Sequence, residues 1–143
     1  MAPDPTDKNI EIISNAIYQV IKNRAPENAL SQMLDVKPNP FKQQCYVATA
    51  LLYEYFNGQR MTLYKKKDLT DQYHWWIKTD ADITIDITAE QYLIEGLESP
   101  SSNYEGSIKD PKLMWFPSYK KRIKKLKEEL TDYIKKNNIS VAI

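Results

Sequence analysis

Residues Gln72–Gln91 read QYHWWIKTDADITIDITAEQ, and their periodicity decides the fold. Tyr73, Trp75 and Ile77 alternate with His74 and Trp76, so the two sets project from opposite faces of a strand. Ile83, Ile85 and Ile87 alternate in the same way with Thr84 and Asp86. Thr79-Asp80-Ala81-Asp82 lies between them and has good turn chemistry. A β-hairpin is therefore expected. If its apolar faces meet, Ile77 pairs with Ile83, Trp75 with Ile85 and Tyr73 with Ile87. That register sets His74 directly opposite Asp86, with Cβ atoms about 4.5–5.5 Å apart. A one-residue slip would put Asp86 on the apolar face and is disfavoured. His74 is the only histidine of the chain. A carboxylate facing it would fix its tautomer and support the imidazolium form. A salt bridge serving stability alone would leave the same pattern.

Upstream, Phe41–Tyr55 reads FKQQCYVATALLYEY and contains the only cysteine. Pro38 and Pro40 mark a loop before it. Val47, Ala48, Leu51, Leu52 and Tyr55 then recur at helical spacing. Asn57-Gly58 is a good stop, because both residues tolerate the left-handed conformation. Cys45 is thus expected in the first turn of a helix, among free N–H groups and at the positive end of the dipole. Such a place favours a nucleophilic thiolate. Gln43 and Gln44 could offer side-chain N–H donors to an oxyanion, together with the Cys45 backbone N–H. A lone cysteine is also commonly a small buried hydrophobe.

Cysteine at a helix start, histidine on a strand and aspartate on the next strand together have the chain order of a thiol triad. The base must reach the thiol, and a third group must orient the base. Cys45, His74 and Asp86 are the candidates, with Trp76, Thr84 and Gln91 as candidate pocket residues. One His and one Cys fall short of the usual zinc sets. The three Gly are widely separated and build no phosphate-cradling loop. No cofactor or metal is expected.

The remaining chain supplies a frame. Asp7 can cap a helix whose stripe is Ile10, Ile13, Ile17, Val20 and Ile21, ended by Ala25-Pro26. Glu27–Asp35 reads as a short helix. Met61–Tyr64 reads as a strand whose Lys65-Lys66-Lys67 end is solvated. Thr88-Ala89-Glu90-Gln91 has capping-box form and should start a short helix carrying Tyr92 and Leu93. Residues 99–111 read as a surface loop over the site. Ser118 can cap a last helix, 118–137, with the stripe Tyr119, Ile123, Leu126, Leu130, Tyr133 and Ile134. Ile139–Ile143 is a last short strand or a tail. The sum is one α+β domain over 1–143, loose over residues 1–6, with the Cys45 helix packed on a small antiparallel sheet.

Composition bounds the setting. The 143 residues suit one domain, and 42% hydrophobic with 27% charged residues is ordinary for a globular chain. No apolar run is long enough to span a membrane, and MAPDPTDKN lacks a signal-peptide pattern. A single Cys excludes an internal disulfide, and a cytoplasmic location is expected. Net charge is +1, yet Lys109–Lys136 holds ten basic and four acidic residues. That basic helix, with Trp115, Phe116 and Tyr119, could meet nucleic acid or an acidic partner. Solvated lysine faces are the more usual case on surface helices.

At these residues the chain resembles the small bacterial YunG-like family. The resemblance is carried by Gln44-Cys45 with Ala48-Thr49-Ala50-Leu51, by His74 with Trp76, and by Asp86-Ile87-Thr88 with Gln91-Tyr92. It covers roughly Gln43–Tyr92, with an echo in the basic helix after Tyr119. Gln43 stands where the family often has Gly, and Trp75-Trp76-Ile77 replaces Tyr-Trp-Asn. The resemblance implies a papain-like or transglutaminase-like fold with Cys45, His74 and Asp86 as the triad. The expected activity is thiol acyl transfer on a protein, peptide or small amide, as in peptidases, amidases, deamidases and transglutaminases. The alternative is a non-catalytic binding or inhibitor protein of the same fold.

Overall fold

The computed structural model describes residues 4–23, 44–103, 105–114 and 116–141. The expected helix Glu27–Asp35, the Ala25-Pro26 stop, Gln43 and Trp115 lie outside the described residues.

The first helix, α1 (Asp7–Lys22), buries Ile10, Ile13, Ile17, Val20 and Ile21 on one face. Its cap is Thr6 rather than Asp7: the Asn9 N–H donates to Thr6 Oγ1 at 3.1 Å. Thr6 holds the extended backbone an N-cap requires, and Asp7 falls in the first turn, where its charge suits the helix dipole. The second helix, α2 (Cys45–Tyr55), is buried from Tyr46 to Leu52, as a helix apolar on every side must be. It ends at Asn57 and Gly58, which have φ of 54° and 69°. Any Cβ on Gly58 would lie 2.6 Å from the Tyr53 ring, so both sterics and φ select glycine there.

Four antiparallel strands follow in the spatial order β3-β2-β1-β4. They are β1 (Met61–Lys67), β2 (Tyr73–Thr79), β3 (Thr84–Ile85) and β4 (Ile108–Lys109). Strand β1 runs through the lysines instead of ending before them. Lys65 Nζ lies 4.3 Å from the centre of the Tyr73 ring and 5.3 Å from that of Trp75, so the aromatic strand beside it holds the charge.

The β2–β3 register differs by two residues from the apolar-matching expectation: Ile77 pairs with Ile85 and Lys78 with Thr84. The turn sets this. Asp82 N–H donates to Thr79 O at 3.0 Å, Asp82 is left-handed at φ 66°, and Thr79 N–H donates to Ile83 O at 2.9 Å. These make a three-residue Asp80–Asp82 loop of the type I plus bulge kind. A two-residue shift keeps every side chain on its face, so Asp86 remains on the side of His74. Pairing stops at Ile85, and Ile83 is exposed.

Helix α2 packs on β2 and on both α1 and the last helix, α4 (Pro117–Lys136). Trp75 and Ile77 join Ile13, Leu51, Leu52 and Leu126 in the core. Phe116 is the cap of α4 with Pro117 in its first turn, a position where proline's missing N–H costs nothing. Its buried residues are Ile123, Leu126 and Leu130. No strand forms over the described part of the C-terminus, where Ile139 and Val141 pack against the core. No helix among the described residues is long and apolar enough to cross a membrane. The protein is thus α+β, with α2 packed on one face of a small antiparallel sheet and α1 and α4 packed against α2.

The opposite face of β2 is covered too. Over it run α3 (Glu90–Leu93) and a 3-10 turn at Pro100–Ser102. Helix α3 starts later than expected, after Ala89, and Thr88 makes no side-chain cap. Thr88 instead carries the loop, its carbonyl accepting from the Gln91 N–H. The 99–111 stretch, expected as loop throughout, contains the 3-10 turn and β4.

Candidate active site

Cys45 is the first residue of α2, half-buried, and its thiol donates to Tyr73 O at 3.7 Å. Among the described residues the first helical bond runs from Ala48 N–H to Gln44 O, which places Cys45 in the first turn. Gln44 is the N-cap residue, and its side chain makes no capping bond.

His74 sits on β2 beside Tyr73 and is fully buried. Its Nε2–H donates to the Asp86 carboxylate, 2.8 Å from each oxygen. That leaves Nδ1 on the other side of the ring, 3.4 Å from Gln91 Nε2. Trp76 flanks the imidazole at 6.1 Å with nearly parallel rings, and Tyr92 meets it edge-on at 4.9 Å. Burial by itself pushes the imidazole pKa down. The hydrogen bond to Asp86, then the one to Cys45, and the charges of both outweigh burial and hold His74 at about 9. At neutral pH it is an imidazolium.

Asp86 lies just past β3, and its Oδ2 accepts from Ser99 Oγ and Ser101 Oγ, each at 2.5 Å. Three donors serve the two oxygens, with the single His74 Nε2–H shared between them. Ser99 and Ser101 have no signature in the sequence beyond turn chemistry, because they reach Asp86 from a separate segment. The only local hint is Ser99-Pro100, the start of a turn.

Cys45 opens into a cleft of about 660 Å³ that Asp68, Tyr73, Gln91, Tyr92 and Ser99 also line. Of the three expected pocket residues, Gln91 is there. Trp76 is fully buried behind His74, stacked 5.8 Å from Tyr64. Thr84 lines a different hollow of about 290 Å³, together with Asp86 and Tyr18. The cleft holds a second carboxylate that periodicity does not mark. Asp68 accepts from Thr70 N–H, Thr70 Oγ1, Gln72 N–H and, at 2.9 Å, Tyr92 Oη. Burial, then the bond to Asp68, then the charges of Asp68 and Cys45 push the Tyr92 phenol far above its ordinary range, so it stays protonated. Asp68 is held below the usual carboxylate range: burial opposes this, and the bonds from Thr70, Tyr92 and Gln72 prevail.

A thiol at a helix start, a buried imidazolium and a carboxylate behind it now stand on three separate elements. Residues 13–135 match the family described as YunG protein. The chain belongs to the YunG family. Comparison with curated proteins gave no match, and comparison with solved structures gave none. In this YunG-family chain the matched span includes Cys45, His74, Asp68, Asp86, Ser99 and Ser101, together with the whole sheet.

Proposed function

We propose that this protein is a thiol acyl-transfer enzyme on a papain-like or transglutaminase-like core, with Cys45 as nucleophile. The observation that carries the reading is the division of the imidazole: Nε2 is committed to Asp86, and the hydrogen bond with Cys45 that helps raise the His74 pKa supports Nδ1 as the atom that exchanges a proton with the thiol. The Cys45 thiolate attacks the carbonyl carbon of an amide, forming a C–S bond and an oxyanion. The Cys45 N–H and Gln44 are the donors offered to that oxyanion. The C–N bond breaks as His74 Nδ1 gives its proton to the leaving amine, which yields a thioester. His74 then takes a proton from water or an amine, which attacks the thioester. The C–S bond breaks and the thiolate is restored. Asp86 keeps the imidazole oriented and supports its charge throughout.

The substrates proposed are proteins, peptides or small amides, in a compartment such as the cytoplasm where a lone thiol stays reduced. The test is the iodoacetamide rate of Cys45 against pH for the parent, His74→Ala, Asp86→Asn and the double variant. Alkylation of the parent persists below about pH 7. Each single variant loses most of that low-pH rate while staying folded, and the double variant is little slower than either, because the members act as a unit. Equal rates in all four would make His74–Asp86 a structural pair and Cys45 a bystander.

A second reading rests on the exposed Lys120, Lys121, Lys124 and Lys125 of α4 beside the exposed Phe116. A non-catalytic protein of the same fold would use them to bind nucleic acid or an acidic partner. Tight, salt-dependent DNA or RNA binding, abolished by Lys→Ala at these four positions, would favour it.

A further inference from the structure

The cleft has a polarity that the triad does not account for. One wall carries Asp68, whose carboxylate is fixed by four donors from Thr70, Gln72 and Tyr92. Tyr92, hydrogen-bonded to this carboxylate at 2.9 Å, lines the same cleft as Cys45 and responds to the charge of both. Its hydroxyl hydrogen is given to Asp68 and its oxygen accepts from Gln91, so it has no donor left to offer a ligand. Glu98 adds a further carboxylate to the lining.

Both lysines of the described lining have partners. Lys66 Nζ donates to Asn103 O at 2.8 Å, and Lys67 is paired with Asp71 at 3.2 Å. Leu69 and Leu97 line the cleft as well, and they are 90% and 40% exposed. An apolar edge leading to a fixed carboxylate matches an alkyl stem that ends in a positive charge. Among the described lining residues the carboxylates Asp68, Glu95 and Glu98 outnumber Lys66 and Lys67, which disfavours an anionic ligand.

We infer that the cleft beside Cys45 is built for a substrate bearing an alkylammonium group, as on a lysine side chain, with Asp68 as the charge that receives it. The inference rests on the thiol acyl-transfer reading only in naming the bound group a substrate.

Charge-tagged methanethiosulfonates test it on the intact protein. In each reaction the Cys45 thiolate attacks the reagent sulfur, forms a mixed disulfide and releases methanesulfinate. The cationic 2-aminoethyl reagent is compared with the anionic 2-sulfonatoethyl one, and the same ratio is measured in denaturant as the reference. The folded ratio is expected to exceed the unfolded one by about tenfold, the size of a single fixed charge acting oppositely on the two reagents. Asp68→Asn should remove most of that excess, read as the cationic-to-anionic ratio so that a change in thiol reactivity common to both reagents cancels. A folded ratio equal to or below the reference overturns the inference, as does an excess that survives Asp68→Asn. The parent comparison decides even if Asp68→Asn does not fold. Failure of the catalytic reading is separate, since it appears as alkylation rates that His74→Ala and Asp86→Asn leave unchanged.

Discussion

Two ion pairs bracket the hairpin, and they differ in nearly everything except charge. His74–Asp86 is buried, its side chains 0% and 7% exposed. Arg60 joins Asp7 and Asp80 at the other end of β2, with side chains 35%, 50% and 56% exposed. The Arg60 group has the richer geometry. Its Nε donates to both oxygens of Asp80 at 3.0 Å, and other guanidinium nitrogens reach Asp7 and Pro5 O at 2.8 Å. Water nevertheless screens it, whereas the buried pair interacts in a low dielectric and must be complete to be tolerated. Bond counts therefore mislead about which pair governs the molecule.

The sharpest way to break this contrast is Asp86→Ala. It leaves a buried imidazole and two serine hydroxyls without their acceptor. A loss of about 3–5 kcal/mol is expected in urea unfolding at neutral pH. A loss as small as that of a surface variant would mean that the pair is not buried in solution.

The next largest effect is a pH dependence. His74 titrates at about 9 when folded, against 6.5 ordinarily. A raised folded pKa means that the native state binds the proton more tightly. The resulting stability is fully present below about pH 6.5 and is lost as pH rises through about 9, by something on the order of 3 kcal/mol. Unfolding free energies at several pH values across that window should fall in the parent and stay flatter in His74→Gln. A flat parent would show that Asp86 and Cys45 do not hold the proton.

Arg60→Ala should have the smallest effect. It should destabilise slightly at low salt, and the difference should fade near 1 M salt, where the screening length is about 3 Å. A salt-independent loss would point to packing of the arginine stem instead of its charge.

Legibility in the sequence followed the range of the interaction. The α1 and α4 stripes, the Asn57-Gly58 stop and the alternation of β2 are local, and local sterics and burial encode them. The register of the hairpin was not legible from apolar matching, because a two-residue shift satisfies the same faces. The Asp80–Asp82 loop breaks that tie through the left-handed Asp82. The capping boundaries moved by a residue or two for similar reasons: Thr6 rather than Asp7, and Phe116 rather than Ser118. Trp76 was expected in the pocket on the strength of its face. Alternation assigns a face but not the depth of cover, and here Tyr64 stacks over it.

By itself, the sequence determined that this protein is α+β, that Cys45 begins a helix, and that His74 and Asp86 share one side of a hairpin. Each follows from a period of the chain or from a residue's own backbone preference. Only the tertiary structure decided what surrounds them. Ser99 and Ser101 reach Asp86 from 13 and 15 residues away, and Tyr92 reaches Asp68 from 24. Contacts across such separations form when independently ordered segments pack together, so no local pattern announces them. The hydrogen bond to Asp86 that keeps His74 charged against its burial, and the cleft that Asp68 and Cys45 both line, arise in the same way.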